Sequence, residues 1–168
     1  MRRRPLIAAM ALAPFAAQFA LSQAAQAQSE PTAAQPVLAK ERLVIVTHDG
    51  THHAFDVEMA RTPEQQVTGL MFRTGVQENG GMLFVWPVPQ ESEMWMKNTL
   101  VPLDMVFIEA DGTIRHIEEN TVPHSLAIID SHGKVTATLE LQGGITAKLG
   151  IVPGDKVLGQ PFGTVATG

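Results

Sequence analysis

Five polar side chains stand where apolar segments stop. Arg73 closes Gly69-Leu70-Met71-Phe72-Arg73, Lys97, Asn98 and Thr99 follow Met94-Trp95-Met96, and Asp104 separates Pro102-Leu103 from Met105-Val106-Phe107-Ile108. If those segment ends share one rim, the group suits a small anionic or polyhydroxylated ligand. Arg73 would grip a carboxylate or phosphate through its planar fork and Lys97 would add a point charge, while Asn98 and Thr99 oriented the ligand by hydrogen bonds. Trp95 or Phe72 would wall the hollow. The same residues also have a structural reading, in which Lys97 and Asp104 form a buried ion pair locking a strand crossing and Asn98 and Thr99 satisfy backbone groups in the bend. Losing one partner of such a pair costs about 3–5 kcal/mol, whereas losing a ligand contact at an open rim need not destabilise the fold.

Other chemistries have weaker sequence support. Met94 and Met96 bracket Trp95, and two thioethers with histidines nearby would suit Cu(I); Met at core spacing is equally ordinary packing. The six histidines lie at a turn (His48, His52, His53) or in later loops and strand ends (His116, His124, His132), without the helical spacing of a zinc hydrolase. No metal or cofactor is expected. The chain has no cysteine and no Gly-x-Ser-x-Gly elbow, so no nucleophilic catalytic residue is assigned. Glu91 with Glu93, or Glu118 with Glu119, could serve a carboxylate-dependent hydrolase if one of them were buried with a raised pKa in a groove. Glu140, between Leu139 and Leu141, is expected either to face out of the core or to pair there with a backbone bend or with Lys97.

The elements that must hold these groups are mostly strands. Leu43-Val44-Ile45-Val46-Thr47, the Asp49-Gly50 turn and the alternating Phe55, Val57 and Met59 predict a hairpin with a wet outer face. Thr62-Pro63-Glu64-Gln65 is a helix start: Thr62 caps, Pro63 suits the first position, and Gln65 completes a capping box. Val67, Leu70 and Met71 share one face of that helix, and Gly75 is placed to stop it. Short apolar runs follow at 82–86, 94–97, 105–109, 113–117, 126–129 and 135–141, divided by glycines, by Pro87 to Pro89, and by the Asp111-Gly112 hairpin turn. Alternation over 94–99 would put Trp95, Lys97 and Thr99 on one face. Together these predict a mainly β domain, a compact sandwich or distorted barrel with one short helix near residues 63–73.

The N-terminus has the form of an export signal, with Arg2-Arg3-Arg4, an apolar run from Leu6 to Leu21, and Ala25-Gln26-Ala27 as the cleavage site. Pro5, Pro14 and Gln18 interrupt the run, which falls short of the ~20 apolar residues of a membrane span. The expected organisation is therefore a signal peptide over 1–27, a flexible Ala/Gln/Pro linker over 28–40, one domain over 41–160 and a tail over 161–168. A periplasmic or secreted protein without a membrane anchor follows from cleavage. The formal charge is −5, more negative once the three arginines are removed, and without a basic stripe nucleic acid is not an expected partner. A protein partner in the envelope is a further alternative to a small ligand.

The ordered motifs Gly69-Leu70-Met71-Phe72-Arg73, Gly81-Met82-Leu83-Phe84, Trp95-Met96-Lys97-Asn98-Thr99 and Pro102-Leu103-Asp104 are similar to those of the DUF192 family, a domain of unknown function. The resemblance runs from about Phe55 to Val157, taking in Leu139-Glu140-Leu141, Gly143-Gly144 and Gly150-Ile151-Val152-Pro153-Gly154-Asp155. It implies a compact, mainly β domain, often secreted by bacteria, with no established activity, cofactor or catalytic residue.

Overall fold

A computed structural model describes residues 30–166; the expected signal peptide lies outside the described residues. The chain forms a mainly β, nearly closed barrel. Its strands are β1 (Lys40–Val46), β2 (His52–Ala60), β3 (Gly80–Met94), β4 (Leu103–Ile108), β5 (Ile114–Glu118), β6 (Ile129–Gln142) and β7 (Lys156–Leu158). They lie in the order β5-β4-β6-β3-β2-β1-β7. Neighbours are antiparallel except β2 and β3, which are parallel and joined through the short helix α1 (Pro63–Thr68). The two outer strands meet: Ile114 N–H donates to Asp155 O at 2.9 Å and Val157 N–H to Gly112 O at 2.8 Å. Closure in this way removes most of the exposed sheet edge.

Apolar residues fill both sides of the central strands. Leu43, Ile45, Phe55, Val57, Leu83, Val106, Leu139, Leu141 and Val157 form the barrel interior. A second cluster, including Met82, Phe84, Leu103, Met105, Phe107 and Val135, lies on the opposite face of β3, β4 and β6, covered by Leu70 and Met96. All six residues of β4 are consequently buried. Double-sided burial explains why these strands read as unbroken apolar runs instead of clean alternation.

Several local expectations hold at the atomic level. Thr62 and Gln65 form the capping box on α1, and the Asp49-Gly50 and Asp111-Gly112 turns join β1 to β2 and β4 to β5. Others need correction. Helix α1 stops at Gly69 (φ 48°), earlier than Gly75, and a second helix, α2 (Ile145–Leu149), follows Gly143-Gly144; at five residues it is too short to declare a helical period. Pro87 and Pro89 do not divide two strands. They occupy a bulge within β3, where the β3–β6 register slips between Val85 and Gln90, so their missing N–H groups disturb no ladder. Residues 126–128 are loop, with Leu126 and Ile128 exposed. The chain also turns after Met94 instead of continuing as a strand: Thr99 N–H returns to Met96 O at 3.0 Å and Asn98 adopts φ 55°. Met96 and Thr99 are therefore both buried while Trp95 is half exposed.

Within the stretch expected as a linker, Gln35 Nε2 donates to the carbonyls of Gln65 and Gly69 and Leu38 N–H donates to Glu58 Oε2 at 2.7 Å. After the last strand, Phe162 packs into the barrel cluster. Among the described residues no helix is long and apolar enough to cross a membrane.

Asp104 fastens the lower loops. Its Oδ1 accepts from Asn120 N–H and Gly144 N–H, both at 2.8 Å; its Oδ2 accepts from Thr146 N–H at 2.9 Å and Thr146 Oγ1 at 2.7 Å. The carboxylate is fully buried, and three of its four donors are backbone amides. Asp104→Ala is expected to lower stability by about 3–5 kcal/mol, the loss of four hydrogen bonds to one carboxylate, two of them from the buried Thr146. Urea denaturation measures this, and a loss under about 1 kcal/mol would show that the hub is not required.

Candidate functional site

The expected polar rim does not assemble around one hollow. Arg73, in the turn after α1, pairs with Glu58 at 3.1 Å, both side chains largely buried. Together they line a cavity of about 230 Å³ with Lys40 and Gln77. Lys97 pairs instead with Glu30 and lies 5.1 Å from the centre of the Trp95 ring. Asn98 ties its loop to the Arg73 turn, its carbonyl accepting from Phe72 N–H at 2.9 Å. Thr99 is buried, and its carbonyl accepts from His124 N–H at 3.1 Å. Asp104 spends both oxygens on protein donors. The buried Lys97–Asp104 pair of the structural reading is therefore absent, and so is a Lys97–Glu140 pair. The reason is the bend after Met94, which carries Lys97 toward the N-terminal segment.

Two of the expected residues, Trp95 and Thr99, do line a cavity, and it is a different one. It encloses about 370 Å³ between α1, the turn after it, the 95–99 loop and the outer face of β3 and β6. That volume lies within the range of small-molecule sites. Phe84, Trp86 and Trp95 supply aromatic walls, Leu70, Met71 and Met94 fill between them, and Glu93 and Glu140 contribute carboxyl groups.

Strand geometry dictates where Glu140 points. Leu139 and Leu141 enter the barrel interior, so Glu140 emerges on the other face, with Met82 and Met105 as its cross-strand neighbours. It is 4% exposed. Gly81 stands close by because a side chain there would collide with the Glu140 carbonyl at 2.3 Å. Thr138, the next β6 residue on the same face, is satisfied by a 3.0 Å hydrogen bond to Ser92. Glu140 Oε2, by contrast, has no hydrogen-bond partner among the described residues, and nor does the buried Trp86 Nε1. Burial among apolar side chains pushes the Glu140 carboxyl up to about 8, because an uncompensated negative charge is disfavoured there.

The other polar groups around the cavity are largely occupied. Gln66 Nε2 donates to the carbonyls of Ala60 and Val85 at 3.2 and 2.9 Å, and Thr68 Oγ1 to that of Glu64 at 3.1 Å. Among the described lining residues there is no Lys, Arg or His. Neither carboxylate pair marked in the sequence converges on a groove: Glu93 reaches the cavity without Glu91, and Glu119 lies 3.4 Å from Thr146 Oγ1. Met94 lines the cavity, while Met96 is fully buried with Thr121 Oγ1 3.1 Å from its sulfur. Among the described residues no three His, Asp or Glu side chains are grouped to hold a metal ion.

Sequence reasoning missed Glu140 and Trp86 as cavity groups. A usable signal existed for Glu140: an acid flanked by leucines in a long β-type run must face something, and if both faces are covered it faces the second core. Trp86 carried no comparable mark at the end of an apolar run.

Comparison with known proteins agrees with this architecture. Among curated proteins none matches the chain. A crystal structure from Sinorhizobium meliloti, described as a proposed transcription regulator, is 47% identical with a TM-score of 0.73, covering 76% of this chain and 99% of that one. A protein of unknown function from Novosphingobium aromaticivorans is 39% identical with a TM-score of 0.70, covering 74% and 90%. The family model described as "Uncharacterized ACR" matches residues 44–159, nearly the whole barrel, and the chain belongs to the DUF192 family.

Proposed function

We propose that this chain is a binding module for a small organic ligand seated in the aromatic cavity, acting outside the cytoplasm after removal of its N-terminal signal. The observation that carries the reading is the unpartnered Glu140 carboxyl in the cavity wall. A buried polar group left unsatisfied costs about 1–3 kcal/mol, and a ligand able to pair with it would recover that loss. The export half of the reading rests on Arg2-Arg3-Arg4 and Ala25-Gln26-Ala27, and N-terminal sequencing of the exported protein would find Gln28 first.

The cavity narrows the ligand expected from the sequence. An anion meets two carboxyls and no described cation there; cationic side chains line other hollows, Arg73 and Lys40 beside the competing Glu58 and Arg115 beside Glu109. A sugar would need partners for several hydroxyls, and the Gln66 and Thr68 donors are already committed. The lining supports a mainly apolar or aromatic body carrying one polar head.

Glu140 also predicts a pH dependence. In the unfolded chain its carboxyl ionises near 4.5, whereas the folded protein holds the proton to about 8. Between those values the unfolded state binds fewer protons, so this group's contribution to stability is complete below 4.5 and is lost as pH rises toward 8. The slope is up to about 1.4 kcal/mol per pH unit. Denaturation midpoints from pH 5 to 8 should fall for the wild type relative to Glu140→Gln, and parallel curves would contradict the buried acid.

A thermal-shift screen of small aromatic and aliphatic compounds tests the binding reading directly. Ligands that raise the melting temperature in a concentration-dependent way should lose that effect in Trp86→Ala and Glu140→Gln. Hits indifferent to both substitutions would place binding elsewhere.

A further inference from the structure

We propose that the ligand of the aromatic cavity is an organic cation, an amine or quaternary ammonium on an apolar body, with its charge set between Glu140 and the faces of Trp86 and Trp95. The proposal rests on the binding-module reading and assigns that module's ligand class. Three features of the cavity converge on it. Its titratable lining groups are both acidic, the exposed Glu93 at the mouth and the buried Glu140 in the wall. Its large surfaces are aromatic, and a cation near an indole face gains electrostatic attraction that water does not fully replace, which is how aromatic cages hold quaternary ammonium groups. The free hydrogen-bonding groups are few, so a head group satisfied by charge and ring faces fits better than one needing many directed bonds.

Trp95 already receives a cation: Lys97 Nζ lies 5.1 Å from its ring centre, held there by Glu30. That pairing neutralises the lysine at the rim. The charged groups on the elements packed around Glu140 are likewise accounted for. Arg73, in the turn after α1, is directed by Glu58 into the neighbouring cavity; Lys97, in the 95–99 loop, pairs with Glu30; on β3 the nearby charge is Glu93; and the β4 neighbour is the uncharged Met105. No described cation competes for Glu140.

Binding involves a definite proton balance. In the empty cavity Glu140 carries its proton, since burial holds the acid up to about 8. A cation binding beside it favours the carboxylate, so the proton leaves to solvent and the cavity stays electrically neutral at that pair. One proton is released per ligand below pH 8. Affinity for a cation therefore rises about tenfold per pH unit toward 8 and levels off above it. A neutral ligand that accepts a hydrogen bond from the protonated acid has the opposite dependence, weakening above pH 8.

The test is isothermal titration of the full chain with three soluble probes of one shape: benzyltrimethylammonium, benzyl alcohol and benzoate. Benzyltrimethylammonium should bind most tightly, gain about tenfold in affinity per unit from pH 6 to 8, and release close to one proton, read from heats in buffers of different ionisation enthalpy. Glu140→Gln should abolish both the pH dependence and the proton release. Trp95→Ala, at an exposed position, should weaken the cation without altering the fold. Tighter binding of benzyl alcohol or benzoate, or a cation affinity that falls with pH, would overturn the cation assignment and leave the cavity as a binding site. Failure of the cation to bind at millimolar concentration, while screening hits remain sensitive to Trp86→Ala, would do the same. Loss of all cavity-dependent binding would instead remove the underlying module reading.

Discussion

Burial of β6 on both faces is the constraint from which the rest follows. Leu139 and Leu141 close the barrel interior on one side, and the α1 turn and the 95–99 loop cover the other. A charged residue between those leucines is left with little contact with water, at 4% exposure in the cavity wall. The fold tolerates Glu140 there because the carboxyl keeps its proton, and the protonated acid is a polar, hydrogen-bonding group rather than a buried charge.

Asp104 and Glu140 show how differently a β-barrel can use a buried acid. Asp104 meets three backbone amides and a hydroxyl, and without it the buried Thr146 N–H would lose its acceptor. That is a structural assignment, made by counting satisfied partners. Glu140 has an oxygen without any described partner in a wall shared with Trp86 and Phe84. Unsatisfied buried groups are infrequent in folded proteins and call for a reason. A ligand that pairs with that oxygen would supply one. Both acids sit in apolar sequence, so their roles separate only when the partners are known.

Much of the local structure was legible because its causes are local. Thr62 and Gln65 cap a helix three residues apart, and Asp49-Gly50 and Asp111-Gly112 need no distant partner to turn the chain. Family resemblance through Trp95-Met96-Lys97-Asn98-Thr99 and Pro102-Leu103-Asp104 was also readable. The site was not, because its geometry depends on long-range pairing. Whether Lys97 meets Asp104, Glu140 or Glu30 depends on the bend after Met94 and on where the N-terminal segment lies, neither of which spacing reveals. Pro87 and Pro89 misled for a related reason: a bulge within one long strand looks in sequence like a break between two. The expected rim failed at Arg73 and Asp104, whose partners, Glu58 and the 120–146 loops, are remote in the chain.

The most direct measurement is the ionisation of Glu140 itself, followed by the chemical shift of its side-chain carboxyl carbon in the folded protein with selective isotope labelling. The carboxyl should retain its proton through neutral pH, with a midpoint near 8. A midpoint near the ordinary 4.5 would mean that the carboxylate is solvated or paired, and the cavity would lose the group on which its proposed chemistry depends.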